Sequence, residues 1–210
     1  MAACTKCGAE LETPLVCGAC GMLFAPEPEP TPFECLGLAP AFDLDAALVR
    51  RRLLRASRLV HPDFHGASGE EARAAAERAT ALLNRAHALL SDPAARADWL
   101  VRSLGGPAEN DQRQMPQAFL MEVMEWNEAL EAARESAPGS PARAGLDALE
   151  ASLREQRESV LREVQRLLVP LPARNAPALA QARDQLNALR YLANSLTQIE
   201  ALRLDSPSPR

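Results

Sequence analysis

Apolar residues recur at helical spacing along most of the chain. Between Ala46 and Val60, the side chains of Val49, Leu53, Ala56 and Val60 share one face, and Arg51, Arg55 and Arg58 form a basic stripe on the opposite one. Asp43 or Asp45 can cap the start of this helix. The pattern must stop at His61-Pro62-Asp63, because the residue before a proline is driven out of the helical region. Ser68-Gly-Glu-Glu71 then reads as a capping box opening a second helix. That helix runs to about Leu90, with Ala75, Ala79, Leu82, Ala86 and Leu89 facing inward. Asp92-Pro93 is a cap followed by proline at the first helical position, and the short helix it opens passes Trp99 and stops at Gly105-Gly106.

From Met115 a different block begins. Phe119, Val123, Trp126, Leu130 and Ala133 make one apolar stripe, which Pro138-Gly139 ends. Leu146, Leu149, Leu153, Val160, Val164 and Leu167 mark a long second helix, ended by Pro170 and Pro172. Ala182, Leu186, Leu189, Ala193 and Leu196 mark a third. Each helix has one stripe to bury, so the three should close into a bundle.

Residues 25–32, Ala-Pro-Glu-Pro-Glu-Pro-Thr-Pro, can form neither helix nor central strand and read as a stiff polyproline-like spacer. The expected organisation is therefore a cysteine module at 1–24, a proline-rich linker at 25–32, a helical domain at 33–106, a three-helix bundle at 107–205 and a disordered tail at 206–210. The expected fold class is all-α. Leu- and Ala-rich composition with few aromatics supports it.

Charge narrows the partners. The net charge of the 210 residues is −5, which gives no general attraction to nucleic acid or anionic membrane. Residues 1–31 carry one Lys against four Glu, residues 32–104 ten Arg against nine acids, and residues 105–210 twelve Arg against fifteen acids. The only positive segment is the middle one, and its charge is clustered on one helix. No stretch approaches the roughly 18 apolar residues of a membrane helix. The N-terminus has neither a signal core nor an Arg-rich transit pattern, so the expected location is cytoplasmic and reducing.

In that setting five cysteines should be free or metal-bound. Cys4-x2-Cys7 and Cys17-x2-Cys20 are two knuckles, each followed by glycine. Four thiolates at this spacing can surround one zinc, and a module this small cannot bury a core without such a staple. With four ligands and no open position, the site reads as structural, the lesser alternatives being a redox pair or iron. Cys35 reads as a small core hydrophobe.

A basic helix, His61-Pro62-Asp63, a gap, a longer helix, then Asn84 and the Asp92-Pro93 cap follow one another in order. Here the chain resembles a J-domain, and more closely the HscB-type co-chaperones of iron–sulfur cluster assembly. The resemblance covers nearly all of 33–203. It runs through Phe33-Glu-Cys-Leu-Gly-Leu38, Leu59-Val-His-Pro-Asp63, Leu83-Asn-Arg-Ala-His-Ala-Leu89, Asp92-Pro-Ala-Ala-Arg96, Phe119-Leu-Met-Glu-Val-Met-Glu-Trp126 and Leu189-Arg-Tyr-Leu192. It implies that 33–106 is a J-domain and that the protein is an ATPase-activating adaptor rather than an enzyme. His61, Pro62 and Asp63, with Arg51, Arg55 and Arg58, would engage a DnaK/HscA-type chaperone, the aspartate pairing with a chaperone arginine. The cysteine pairs resemble the zinc-bearing extension of some members. Two positions depart from the pattern: His87 stands where a larger aromatic is usual, and Ala132 where an acidic client contact is expected, with Glu131 and Glu135 as nearby substitutes.

The first bundle helix carries a second line of argument. With Phe119, Val123, Trp126 and Leu130 inward, Met121, Met124, Glu125 and Glu128 project from the opposite side and Leu120 lies on the flank. Methionines beside carboxylates on an outward face suggest an adaptable binding surface with an acidic rim, although such a face could also pack on another helix. Tyr191 falls outside its own helix's stripe. By resemblance, Leu120, Met121, Met124, Glu125, Glu128 and Tyr191 match positions that bind the IscU-type scaffold. The rivals are a general J-protein with another client, a zinc-ribbon nucleic-acid binder, and a metalloenzyme built on His61, Asp63 and His65. A cysteine module with one Lys and no Arg opposes the second, and ligands without supporting partners oppose the third.

Overall fold

The structure is a computed structural model that describes residues 2–61, 63, 69–112, 114–137 and 139–204. Its helices are α1 (Pro32–Cys35), α2 (Ala46–Val60), α3 (Glu70–Ser91), α4 (Pro93–Ser103), α5 (Gln117–Glu135), α6 (Pro141–Leu168) and α7 (Pro177–Leu204), with a 3-10 turn at Glu109–Asp111. Among the described residues the only β pairing is three isolated antiparallel bridges near the N-terminus, so the fold is all-α as expected. No described helix is long and apolar enough to cross a membrane.

The chain divides into two compact units, Met1–Arg96 and Ala97–Arg210. These units differ from the blocks read from composition. The cysteine module, the proline-rich segment and the helices up to Arg96 form one unit, so residues 25–32 do not hold the module apart. Glu29, inside that segment, is 3.3 Å from Arg85 on α3. The second unit begins within α4. There Asp98 pairs at 2.7 Å with Arg183, whose side chain is 2 % exposed, and Arg183 also donates to the Pro107 carbonyl. Arg183 is buried, while Asp98 is one-third exposed and also meets Arg102 at 2.9 Å, so the pair ties the end of α4 to α7 through a buried guanidinium.

In the first unit, α2 has the expected bounds. Asp45 supplies its cap, accepting the Ala47 N–H at 2.8 Å. Thr31 and Glu34 form a reciprocal capping box on α1 that the spacer reading passed over. The expected Ser68 cap lies outside the described residues, and Gly69, with φ of 101°, occupies the N-cap position of α3. The inward stripe of α3 is Ala76, Ala79, Leu83, Ala86 and Leu90. Ala75, Leu82 and Leu89 are thus corrected to half-buried flank positions. Adjacent Leu82-Leu83 and Leu89-Leu90 leave the phase open by one residue, and packing against α1 and α2 selects the second of each pair.

In the second unit, α5, α6 and α7 form the bundle. Its core joins Trp126, Leu130 and Ala133 to Leu146, Leu153, Leu192, Ile199 and Leu202, with Phe119, Val123, Leu149, Val160 and Leu196 packed on the edge. Ala193, expected inside, is exposed. Over 28 residues the stripe of α7 drifts, and the larger Leu192 takes the buried position beside it. Gly139 follows the end of α5 with φ of 82°; Pro138 and the tail at 206–210 lie outside the described residues.

Candidate functional site

The Sγ atoms of Cys4, Cys7, Cys17 and Cys20 lie within 4.8 Å of one another. Two matching turns bring them together. Gly8 N–H donates to the Cys4 carbonyl and Gly21 N–H to the Cys17 carbonyl, each at 2.9 Å. Both glycines sit at φ near 70°, a region that side chains with a Cβ avoid. The Sγ separations are 3.6 Å for Cys4–Cys20 and 3.7 Å for Cys7–Cys17. Four thiolates around a metal at about 2.3 Å would stand about 3.8 Å apart, so the cluster fits a closed tetrahedral centre. The Cys20 N–H aimed at its sulfur, against the opposing pull of burial, holds the Cys17 thiol down to about 6. Cys7 goes the other way: the Ala9 N–H favours its thiolate, yet the Cys20 and Cys4 side chains push it up to about 12. Cys35 stands apart from the cluster, its thiol raised to about 11 by burial, in keeping with an inert core position.

The module is seated on the first unit's helices. Thr13 Oγ1 donates to the Cys35 carbonyl at 2.9 Å in a buried setting. Glu12 stands 3.0 Å from Arg52 and 2.9 Å from Arg55 of α2. Gly37, at φ of 63°, lies so close beneath that a Cβ there would meet the Glu12 carbonyl oxygen at 2.2 Å. Exposed ion pairs are worth roughly 0–1 kcal/mol, whereas burying Leu15 and Val16 contributes about 1.5–3 kcal/mol each. Apolar burial therefore supplies most of the attachment, and Glu12 fixes its direction. Sequence reasoning missed Glu12, Arg52 and Gly37; the only signal was a glycine between two leucines.

Beyond α2, His61 and Asp63 are both exposed, and Pro62 and His65 lie outside the described residues. Asp63 N–H donates to His61 Nδ1 at 3.3 Å, while the Asp63 side chain is 86 % exposed. Its carboxylate is presented to solvent, with Oδ2 3.5 Å from His61 Nδ1. On α2, Arg51, Arg55 and Arg58 are exposed on one face as expected. Arg51 is 3.7 Å from Asp45, and Arg55 is shared with Glu12. Leu54, also exposed, lies among them.

The outward face of α5 has the expected composition. Met121 and Met124 are 58 % and 61 % exposed, Leu120 is exposed beside them, and Glu125 and Glu128 are exposed on the same side. Phe119 links this face to α7: its ring meets Trp126 and Tyr191 edge to face, each at a centroid distance of 5.7 Å. That contact places Tyr191 at the border of the α5 face. Ala132 is exposed farther along the helix, where Glu131 pairs with Arg134. Together these side chains form an exposed apolar patch with an acidic edge.

Residues 115–200 match the family model for the HSCB C-terminal oligomerisation domain. The co-chaperone protein HscB homolog of Shewanella baltica strain OS155 is 33% identical over 177 residues, covering 82% of this chain and 98% of that protein. Its counterpart from Vibrio vulnificus strain YJ016 is 31% identical over 169 residues, covering 80% of this chain and 94% of the other. Among solved structures, human co-chaperone protein HscB superposes with a TM-score of 0.76 at 25% identity, covering 97% of this chain and 99% of that one. Chaperone HscB from Vibrio cholerae does so with a TM-score of 0.67 at 26% identity, covering 82% and 96%. With about a third of the aligned residues shared over nearly the full length of such relatives, and a helical fold like that of the solved structures, the chain belongs to the HscB co-chaperone family.

Proposed function

We propose that this protein delivers an IscU-type iron–sulfur scaffold to a DnaK/HscA-type chaperone in the cytoplasm and stimulates that chaperone's ATPase. The observation that carries the reading is the outward face of α5. Leu120, Met121 and Met124 are exposed on a helix whose opposite side is committed to the bundle core. Methionines re-pack readily against a partner, and Glu125 and Glu128 supply charge that orients it; Tyr191 adds an aromatic anchor at the border. In the other unit, Asp63 offers a carboxylate to a chaperone cation, next to the basic face of Arg51, Arg55 and Arg58. His61 and Pro62 complete the docking loop. The chain does no covalent chemistry in this scheme. It raises the local concentration of client at the chaperone and presents the trigger for hydrolysis.

Cys4, Cys7, Cys17 and Cys20 would hold one zinc, which supplies a structural cross-link. Emission spectroscopy of the purified chain should find one zinc per molecule, and Cys17→Ser should lose it. Because the module is seated on α2 and on the carbonyl of Cys35, that variant should also lower the melting temperature of the first unit. Retention of zinc by the variant would mean that the metal sits elsewhere.

Calorimetric titration of the full chain with an IscU-type scaffold tests the client. Saturable binding to the scaffold, with none to an unrelated unfolded protein, supports the reading. Equal enhancement of the chaperone's ATPase by unrelated clients, with no scaffold binding, would replace it with a general J-protein role.

A further inference from the structure

Two grooves flank the basic face of α2, and in both one wall comes from the cysteine module. The smaller, about 390 Å3, is lined by Gly18 of the second knuckle and by Arg51, Leu54, Arg55 and Arg58. The larger, about 850 Å3, is lined by Lys6 and Met22 of the module and by Arg58, Leu59, Ala75 and Glu71. Arg58 and Leu59 belong to both, so the two run into each other as one surface. Its charge is distinctive. Residues 1–31 are acidic overall, yet their single cation, Lys6, opens onto this surface, and it is the only lysine in the chain. Lys6, Arg51, Arg55 and Arg58 thus border a floor of Leu54, Leu59 and Ala75; among the described lining residues Glu71 is the one carboxylate, and Cys20 of the cluster also lines the larger groove. Arg55 is drawn toward the module by Glu12, and Gly18 leaves space beside its guanidinium, the nearest approach being 3.7 Å from a Cβ placed there.

We propose that the cysteine module is part of the chaperone-docking surface, extending the α2 face across its knuckles to Lys6 and Met22. The occupant is an acidic surface of the ATP-bound chaperone that carries an apolar side chain. Lys6 and Arg58, joined by Arg51 and Arg55, which pair with Asp45 and Glu12 respectively, stand around a half-apolar floor complementary to that chemistry, and the surface is continuous with the basic face of α2. The inference rests on the docking role proposed for that face. Its added content is that the module touches the chaperone directly, where a purely structural staple would not.

The single lysine makes the test direct. An amine-acylating reagent marks Lys6 and the terminal amine alone, and peptide mass spectrometry follows each separately. Saturating the full-length chain with ATP-bound chaperone should slow acylation of Lys6 several-fold relative to a scrambled-sequence control protein in place of the chaperone. Lys6→Glu should weaken chaperone binding about five-fold at low salt, with the loss shrinking as salt rises, whereas Lys6→Arg should restore it. If wild type binds and Asp63→Asn fails to stimulate, but Lys6 is neither protected nor needed, the module is a bystander and this inference alone falls. If wild type does not bind the chaperone, the docking role and this extension fall together.

Discussion

Replacing Asp63 by Asn should reduce stimulation of the chaperone's ATPase to its unstimulated level and leave the fold intact. The two side chains have nearly the same shape, and the Asp63 N–H that donates to His61 Nδ1 is a backbone group the swap does not touch. The Asp63 side chain is 86 % exposed, so losing its charge alters stability by no more than about 0.5 kcal/mol. Docking suffers far more. Removing one member of a desolvated charge pair costs about 2–5 kcal/mol, which is roughly thirty-fold or greater in the docked state. Circular dichroism should superpose on wild type while steady-state ATPase shows no rise over chaperone alone. Charge reversal on α2 should weaken docking and flatten its salt dependence. The suitable variants are Arg51→Glu and Arg58→Glu, because a carboxylate at Arg55 would face Glu12 and disturb the module's seat.

The second large effect lies on α5. Replacing Leu120, Met121 and Met124 together by Ala should weaken scaffold binding at least a hundred-fold, since central apolar anchors cost about 1–2 kcal/mol or more each. All three are exposed, and the core beneath them is made by Trp126, Leu130 and Ala133, so no cavity opens. The melting temperature should stay within a few degrees of wild type, and ATPase stimulation without client should persist. Unfolding of the variant would show that the face is core. A folded variant that still binds the scaffold would move the client site elsewhere.

The periodicity of α2 and α5 was readable because each has one apolar face and punctuation at both ends, Asp45 and His61-Pro62 for α2. Where the pattern offered two adjacent leucines, as on α3, periodicity could not choose the phase, and contacts with α1 and α2 did. Ala193 failed for a related reason: a small residue beside Leu192 satisfies a stripe on paper, but the larger side chain has more surface to bury. The cysteine cluster was legible from spacing alone, because two identical knuckles need only close on each other. The seat of that module on α2 was not. It depends on Glu12 meeting Arg52 and Arg55, on Thr13 reaching the Cys35 carbonyl, and on Gly37 yielding room. These are pairings between segments distant in sequence, and nothing local announces them. Exposed composition on α5 was readable as a face, but the edge-to-face ring contacts that bring Tyr191 to its border needed the packed bundle.

The central claim is that one chain must hold client and chaperone at once. Two full-length variants separate the halves: Asp63→Asn keeps the α5 face, and the triple Ala variant keeps the docking loop. The decisive measurement is the chaperone's ATPase in the presence of scaffold, comparing wild type with an equimolar mixture of the two variants. The account predicts that wild type gives strong stimulation enhanced by scaffold, and that the mixture gives only the client-independent rate of the triple Ala variant. Full scaffold-enhanced stimulation by the mixture would show that the two activities need not share a chain, and would contradict the adaptor account.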